Sequence, residues 1–159
     1  TLELILAPMA ENGKEAIALH QEHQPDITLM DLRMPQMEGL EAVIQIRAAT
    51  PKANIIILTT YDTDEDIYQC LQAGARGYLL KDATSAELTN AVRQVHQGKR
   101  FIPADVAMKL ADRVQSDELT SRELDVLAMM VQGSSTTKLS EALNISEGTV
   151  KFHVNYILQ

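Results

Sequence analysis

Apolar positions along the first two thirds of the chain follow two rhythms. Short runs rich in β-forming residues carry few polar groups: "LELILA" from Leu2, "ITLMD" ending at Asp31, "NIIILTT" ending at Thr60 and "GYLLK" ending at Lys81. Between and after them the spacing lengthens to that of helices, over residues 14–23, 39–49, 64–73 and 85–97. Such alternation predicts parallel strands joined by helical crossovers, and strands this poor in polar residues predict helices on both faces of the sheet. A further amphipathic helix is expected over residues 103–114, with Val106, Leu110 and Val114 on one side, before "QSDE" breaks the pattern. Beyond the break no strand rhythm remains, and "LTSRELDVLAMMVQG", "TTKLSEALN" and "SEGTVKFHVNYIL" predict three helices. The expected organisation is an α/β domain over residues 1–99, a linker helix over 100–117 and a small all-α domain over 118–159.

Composition narrows the class of protein. With 159 residues and 45% hydrophobic content the chain can fill two small cores. No apolar stretch approaches the length of a membrane span, and "TLELILA" lacks the basic flank and cleavage pattern of a signal peptide, so a cytoplasmic protein with no membrane partner is expected. The single cysteine, Cys70, reads as a small buried residue. A net charge of −8 requires any nucleic-acid contact to be local.

The strand ends hold the candidate chemistry. In open parallel sheets, sites form beyond the carboxyl ends of the strands. There the sequence sets Asp31, then Thr59 and Thr60, then Lys81. A carboxylate can attack a phosphoryl donor, a lysine can neutralise the charge that arrives, and a hydroxyl can hydrogen-bond a phosphoryl oxygen. The same residues also suit a structural Asp31–Lys81 ion pair with the threonines acting as helix caps.

The wording around these residues is specific. "LMDLRMPQMEGLE", "ILTTYD" and "GARGYLLKD", in that order, resemble the receiver domain of two-component response regulators. "LTSRELDVLAMMVQG" with "LSEALNISEGTVKFHV" resembles the LuxR-type helix-turn-helix of the NarL/FixJ class, so the likeness covers nearly the whole chain. It implies a flavodoxin-like, doubly wound parallel sheet with Asp31 as phosphoacceptor, Thr59 as switch hydroxyl, Lys81 as phosphate-binding lysine and Tyr78 as the rotating aromatic. It implies Mg²⁺ held partly by Asp31 and the backbone carbonyl of Arg33. A sensor histidine kinase, promoter DNA and a homodimer formed on activation are the implied partners. Catalysis would go no further than self-phosphorylation and autodephosphorylation of Asp31.

One departure changes the metal site. In the family, the first strand ends in an acidic pair that holds Mg²⁺, followed by a helix and a second strand. Here "TLELILA" resembles that first strand, yet "PMAENGKEA" follows at once, so roughly 40 residues are expected to be missing, about one helix, one strand and their loops. The acidic pair is absent with them, and a competent Mg²⁺ site is not expected in the chain as written. Glu11 lies within the later helix start and is no substitute. A phosphate-independent adaptor with a degenerate receiver is therefore an alternative. An aspartate-nucleophile phosphatase is another, although that chemistry resembles one needing a second Asp where Arg33 stands.

Other patterns have plainer explanations. "YDTDEDI" alternates Asp62, Asp64 and Asp66, but Ile67 and Ala73 stand where a calcium loop needs Gly and Glu. His20 and His23, one helical turn apart without further ligands, are expected on a solvated face. Met34 and Met37, flanking the loop after Asp31, are expected to pack or to form a partner surface rather than to serve redox chemistry. In the last segment Thr120 and Glu123 form a capping box, with Leu124, Leu127 and Val131 expected on the buried side of the helix they open. Leu139 and Leu143 face inward on the next helix, and "NIS" supplies a tight turn. Val150, Val154 and Ile157 or Leu158 then continue the stripe, leaving Thr149, Lys151, Phe152, His153 and Asn155 on the opposite face. By analogy with recognition helices, Lys151, Phe152 and Asn155 are expected near base edges, with Thr149, His153 and Lys138 on the DNA backbone. A protein-interaction module is the competing reading. From Glu118 onward three basic residues face five acidic ones, and the chain stops at Gln159 before the family's final, dimer-forming helix.

Overall fold

The computed structural model describes residues 3–60, 63–115 and 119–158. The chain divides into two compact units, Thr1–Leu110 and Ala111–Gln159. Unit 1 runs α1 (Gly13–His23), β1 (Thr28–Met30), α2 (Gly39–Ala49), β2 (Ile55–Thr59), α3 (Asp64–Gln72), β3 (Gly77–Leu80) and α4 (Ser85–His96). Helix α5 (Ala104–Gln115) starts in unit 1 and ends in unit 2, which continues with α6 (Ser121–Val131), α7 (Thr136–Leu143) and α8 (Glu147–Ile157).

The strands form one parallel sheet in the order β1-β2-β3. Thr28 pairs with Ile55 and Met30 with Ile57, while Ile57 pairs with Tyr78 and Thr59 with Leu80. Ile55, Ile56 and Ile57 of the central strand are wholly buried, as a strand covered on both faces must be. Ile56 and Leu79 pack against Ala91, Val92 and Val95 of α4. Side chains alternate along a strand, so Ile55, Ile57, Thr59 and Tyr78 face the other way. Right-handed crossovers carry α2 and α3 over that second face. Beyond β3, Phe101 forms a single bridge to Gly77, and its carbonyl accepts from Tyr78 N–H at 3.1 Å, which covers an otherwise open edge.

The expected first strand is not formed. Residues 3–10 are irregular, with Ile5 89% and Leu6 92% exposed; Leu2 lies outside the described residues. Strand propensity reports how well a residue fits a packed, pleated surface, so an apolar run without a paired neighbour and covering helices has no reason to extend into a ladder. The helix that follows packs on α2 instead.

Local chemistry sets the helix starts. Asn12, Thr63, Thr84, Thr120, Ser135 and Ser146 each accept a backbone N–H of the helix they open, and at Thr84 and Thr120 the Glu three residues on completes a capping box. His20 departs from expectation. It is buried, with Nδ1 3.1 Å from the Thr28 hydroxyl, because the last turn of α1 leans on β1 instead of facing solvent, while His23 is exposed. Burial lowers the His20 pKa by disfavouring the imidazolium. Cys70 is buried and free, and burial pushes its thiol up.

In unit 2, Val126, Leu139 and Val150 form the core, with Met129, Met130, Leu143, Ile145, Val154 and Ile157 packed around them. The expected stripe on α6 is rotated: Leu124 and Val131 are exposed, and Glu123 and Val126 are buried. The capping box explains the phase. It folds Glu123 back onto Thr120 N–H at 2.9 Å, and positions three and seven residues later, Val126 and Met130, share its side of the helix. The "QSDE" break lies almost wholly at residues 116–118, outside the described residues, as does Asp62 of the rejected calcium pattern.

Candidate functional site

Three strand ends meet at the carboxyl edge of the sheet. Asp31 follows β1, Thr59 closes β2 and Lys81 follows β3. Strands lie about 4.8 Å apart, so Lys81 must lean across the end of β2 to reach Asp31. It does so: the ammonium is hydrogen-bonded and ion-paired to Asp31 Oδ2. Backbone geometry directs that reach, because Lys81 N–H donates to the Thr59 carbonyl at 2.8 Å and prolongs the β2–β3 ladder to the rim. The other Asp31 oxygen, Oδ1, accepts from Arg33 N–H at 3.2 Å. The Asp31 side chain is 28% exposed and that of Lys81 44%, so the pair is open to reagents and partly screened by water. Thr59 and Tyr78 are wholly buried on the same face of adjacent strands, Tyr78 opposite Ile57, two residues before Thr59.

The loop after Asp31 is built around close backbone contacts. Gly39 N–H donates to the Leu32 carbonyl at 2.9 Å, and a Cβ on Gly39 would sit 2.0 Å from the Asp31 carbonyl oxygen. Only glycine lets α2 begin that close to the acceptor strand. Gly13 plays the same part for α1, its N–H bound to the Met37 carbonyl at 3.2 Å, where a Cβ would strike Met37 at 2.7 Å. Met37 thus packs, as expected. Between these anchors Gln36 adopts a φ of 65°, the left-handed region that non-glycine residues seldom enter. Nothing in the sequence pattern marked the left-handed backbone at Gln36.

Arg33 was marked for its carbonyl, yet its side chain is the more informative part. The guanidinium pairs with Asp66 in the first turn of α3 at 3.1 and 3.2 Å and with Glu38 at 3.5 Å. The residues present do not fit a Mg²⁺ ion by themselves. Both Asp31 oxygens are engaged by N–H donors, and among the described residues no group of three His, Cys, Asp or Glu side chains could hold a metal.

The second site is the outer face of α8. Helix α7 ends at Asn144, left-handed at φ 53°, and the Ser140 hydroxyl donates to the Ile145 carbonyl at 2.6 Å; Ser146 then caps α8. The Thr137 hydroxyl donates to Glu147 at 3.0 Å, tying the two helices across this turn. Lys138, Lys151 and Asn155 are exposed, and Phe152 is partly covered by edge and tilted ring contacts to His153 and Tyr156. Thr149 and His153 do not lie on the open face: each is 2% exposed. Because α8 packs against both α6 and α7, it buries a flank beside the Val150–Val154 stripe. Thr149 and His153, four residues apart, fall on that flank. Gly148, Lys151, Asn155 and Leu158 form the stripe left to solvent.

Comparison with known proteins agrees with this architecture. Residues 3–93 match the family described as response regulator receiver domain, and residues 117–159 match bacterial regulatory proteins of the luxR family. The transcriptional regulatory protein YxjL of Bacillus subtilis (strain 168), itself described as uncharacterised, is 38% identical over 168 residues, covering 99% of this chain and 77% of that one. Response regulator VraR of Staphylococcus aureus is 36% identical over 92% of this chain and 73% of its own. A LuxR-family two-component response regulator from Aurantimonas sp. SI85-9A1 superposes with a TM-score of 0.62 at 34% identity, over 67% of this chain and 76% of that one. An aligned stretch of 168 residues that takes in 99% of the chain leaves no room for the expected interior gap of roughly 40. With residues 3–10 irregular as well, the likeness of "TLELILA" to the family's first strand is not sustained. No helix among the described residues is long and apolar enough to cross a membrane. The chain belongs to the response regulators of two-component systems, joining a receiver to a LuxR-type helix-turn-helix that binds DNA and regulates transcription.

Proposed function

We propose that Asp31 is the phosphoacceptor and that the receiver controls DNA binding by α8. A carboxylate oxygen attacks phosphorus, the bond from phosphorus to a histidine nitrogen of the partner kinase breaks, and the electron pair leaves with the imidazole. The new acyl phosphate carries roughly two negative charges, which Lys81 is positioned to balance. The observation that supports this most is the Lys81 ammonium already seated on the Asp31 carboxylate above the end of β2. Thr59 and Tyr78, buried on one face of neighbouring strands with Tyr78 two residues deeper in register, are the groups to respond when phosphoryl oxygens seek a hydroxyl donor. Mg²⁺ is bound by the receiver family in general.

At the DNA end, Lys151 and Asn155 on the open stripe are proposed near base edges with Phe152 beside them, and Lys138 on a phosphate. Thr149 and His153 are left out because they are buried. The domains are drawn as a receiver over 1–99, a connecting helix over 100–117 and a helix-turn-helix over 118–159, the connecting role falling to α5. A homodimer on DNA follows from family likeness. Affinity for a pool of random-sequence duplexes, measured with and without acetyl phosphate, tests the switch. The treated wild type binds differently from the untreated, and Asp31→Ala shows one affinity in both conditions; a wild type indifferent to acetyl phosphate contradicts the proposal.

The engaged Asp31 oxygens, and the lack of a converging acidic cluster among the described residues, favour one alternative, a phosphate-independent adaptor. Stoichiometric phosphoryl uptake on Asp31 rules it out.

A further inference from the structure

Of the three histidines in unit 1, His20 alone is buried, at 4% exposed, while His23 and His96 are open to solvent. Its ring is held from one side only. Nδ1 lies 3.1 Å from the Thr28 hydroxyl at the start of β1, and Nε2, sealed from solvent, has no hydrogen-bond partner among the described residues. A neutral imidazole tolerates this with one group unmet; an imidazolium, with a donor on each nitrogen and a charge to solvate, does not. Burial accordingly lowers the His20 pKa from its ordinary value. Beside the ring lies a cavity of about 260 Å³, which His20 lines together with Asp26, Lys52, Asn54 and His96. Asp26 is its one carboxylate among the described residues, and Lys52 and His96 are its other titratable groups. On α2, which packs against α1, Glu41 is engaged by Gln45 and Arg47 by the Ala53 carbonyl, and neither lines the cavity. Strand β1 carries no titratable side chain, and on α1 itself His23 pairs with Glu22 at 3.9 Å. Helix α1 ends just beyond, at Gln24, whose left-handed φ of 45° is held by its N–H on the His20 carbonyl at 2.9 Å.

We propose that His20 is an acid-sensitive latch: on protonation its ring leaves Thr28 for the adjacent cavity, where water and Asp26 receive the imidazolium, and the last turn of α1 comes away from β1. The displaced charge is favoured there by the Asp26 carboxylate and by the carbonyl end of α1. The strained backbone at Gln24 is the natural place for the turn to give. The opened latch, like the unfolded chain, takes up its proton near the ordinary imidazole value of about 6.5, and the closed latch only at lower pH. The closed state is therefore fully favoured above that value and loses ground as pH falls below it. This inference is independent of the reading of Asp31.

Amide exchange and proton NMR of the full chain, followed from about pH 7.5 down to about pH 5, test the latch. In wild type the protection of amides at residues 20–24, corrected for intrinsic exchange, falls by up to about tenfold per pH unit below 6.5, the most one proton can give. His20→Gln shows constant protection across the range. Thr28→Val, which removes the hydroxyl that holds the closed ring, moves the loss to higher pH; Asp26→Asn, which removes the receiving charge, moves it to lower pH. His23→Ala leaves the wild-type profile unchanged. Level protection in wild type, an equal loss in His20→Gln, or a His20 ring that titrates together with His23 overturns the inference. Should His20→Gln fail to fold, the other two variants decide: a midpoint that stays at the wild-type pH in both Thr28→Val and Asp26→Asn overturns it.

Discussion

The rim of the sheet and the outer face of α8 were both identified by polar residues at expected positions, and they fared differently. At the rim, Asp31, Thr59 and Lys81 stand at strand ends 22 to 50 positions apart in sequence, steps that no local pattern links, yet they share one edge, with Lys81 seated on Asp31. On α8, residues only two apart divide between solvent and core: Lys151 and Asn155 are open, Thr149 and His153 are buried. Parallel topology forces strand ends to one side of a sheet whatever the details of packing. A helix turns by about 100° per residue, so a second packing partner is enough to claim a neighbouring stripe. Position at a strand end is thus the sturdier guide to a site, and polarity on a helix face the weaker one.

The sharpest way to break the comparison is to disturb the rim without touching its charged residues. In Gly39→Ala the added methyl meets the Asp31 carbonyl oxygen at 2.0 Å, so backbone must move. Stability of unit 1 falls by about 3 kcal/mol, at the upper end for overpacking, and phosphoryl uptake falls with it. A urea melt and an uptake assay on the same sample check both; wild-type values in each show that the rim does not depend on this close approach.

A smaller pair of effects sharpens the contrast on α8. His153→Ala removes a buried polar side chain and destabilises unit 2 by about 1–3 kcal/mol, while the folded protein keeps its salt-dependent affinity for DNA. Lys151→Ala does the reverse, changing stability by less than about 0.5 kcal/mol and costing about 1–3 kcal/mol of affinity for DNA. Thermal melts and a titration of DNA binding distinguish the two. If His153→Ala weakens binding and Lys151→Ala does not, the assignment of faces is inverted.

Much of unit 1 was legible because its signals were redundant. Strand rhythm and helix spacing point to the same boundaries, the caps the structure shows at Thr63 and Thr84 fall on them, and the helices lie within a residue or two of expectation. The segment around Leu4–Leu6 failed because it carried one signal alone, an apolar run, with nothing among the described residues to pair or cover it. His20 was misplaced because histidine spacing says nothing of which way the last turn of a helix leans. Two features lay beyond the reach of pattern altogether. The Arg33–Asp66 link joins residues 33 positions apart, and the positive φ at Gln36 arises from the anchoring of its loop at Gly13 and Gly39. In unit 2 the capping box was read correctly, but its consequence for the phase of α6 was not drawn: a Glu that folds back onto its cap brings its own side of the helix inward.

Intact-mass analysis after treatment with acetyl phosphate addresses the account most directly. Wild type gains the mass of one phosphoryl group, and fragmentation locates it on Asp31; Asp31→Ala gains nothing, and Lys81→Ala gains less. An unmodified wild type, or an equal gain in Asp31→Ala, contradicts the claim that this edge of the sheet receives phosphate.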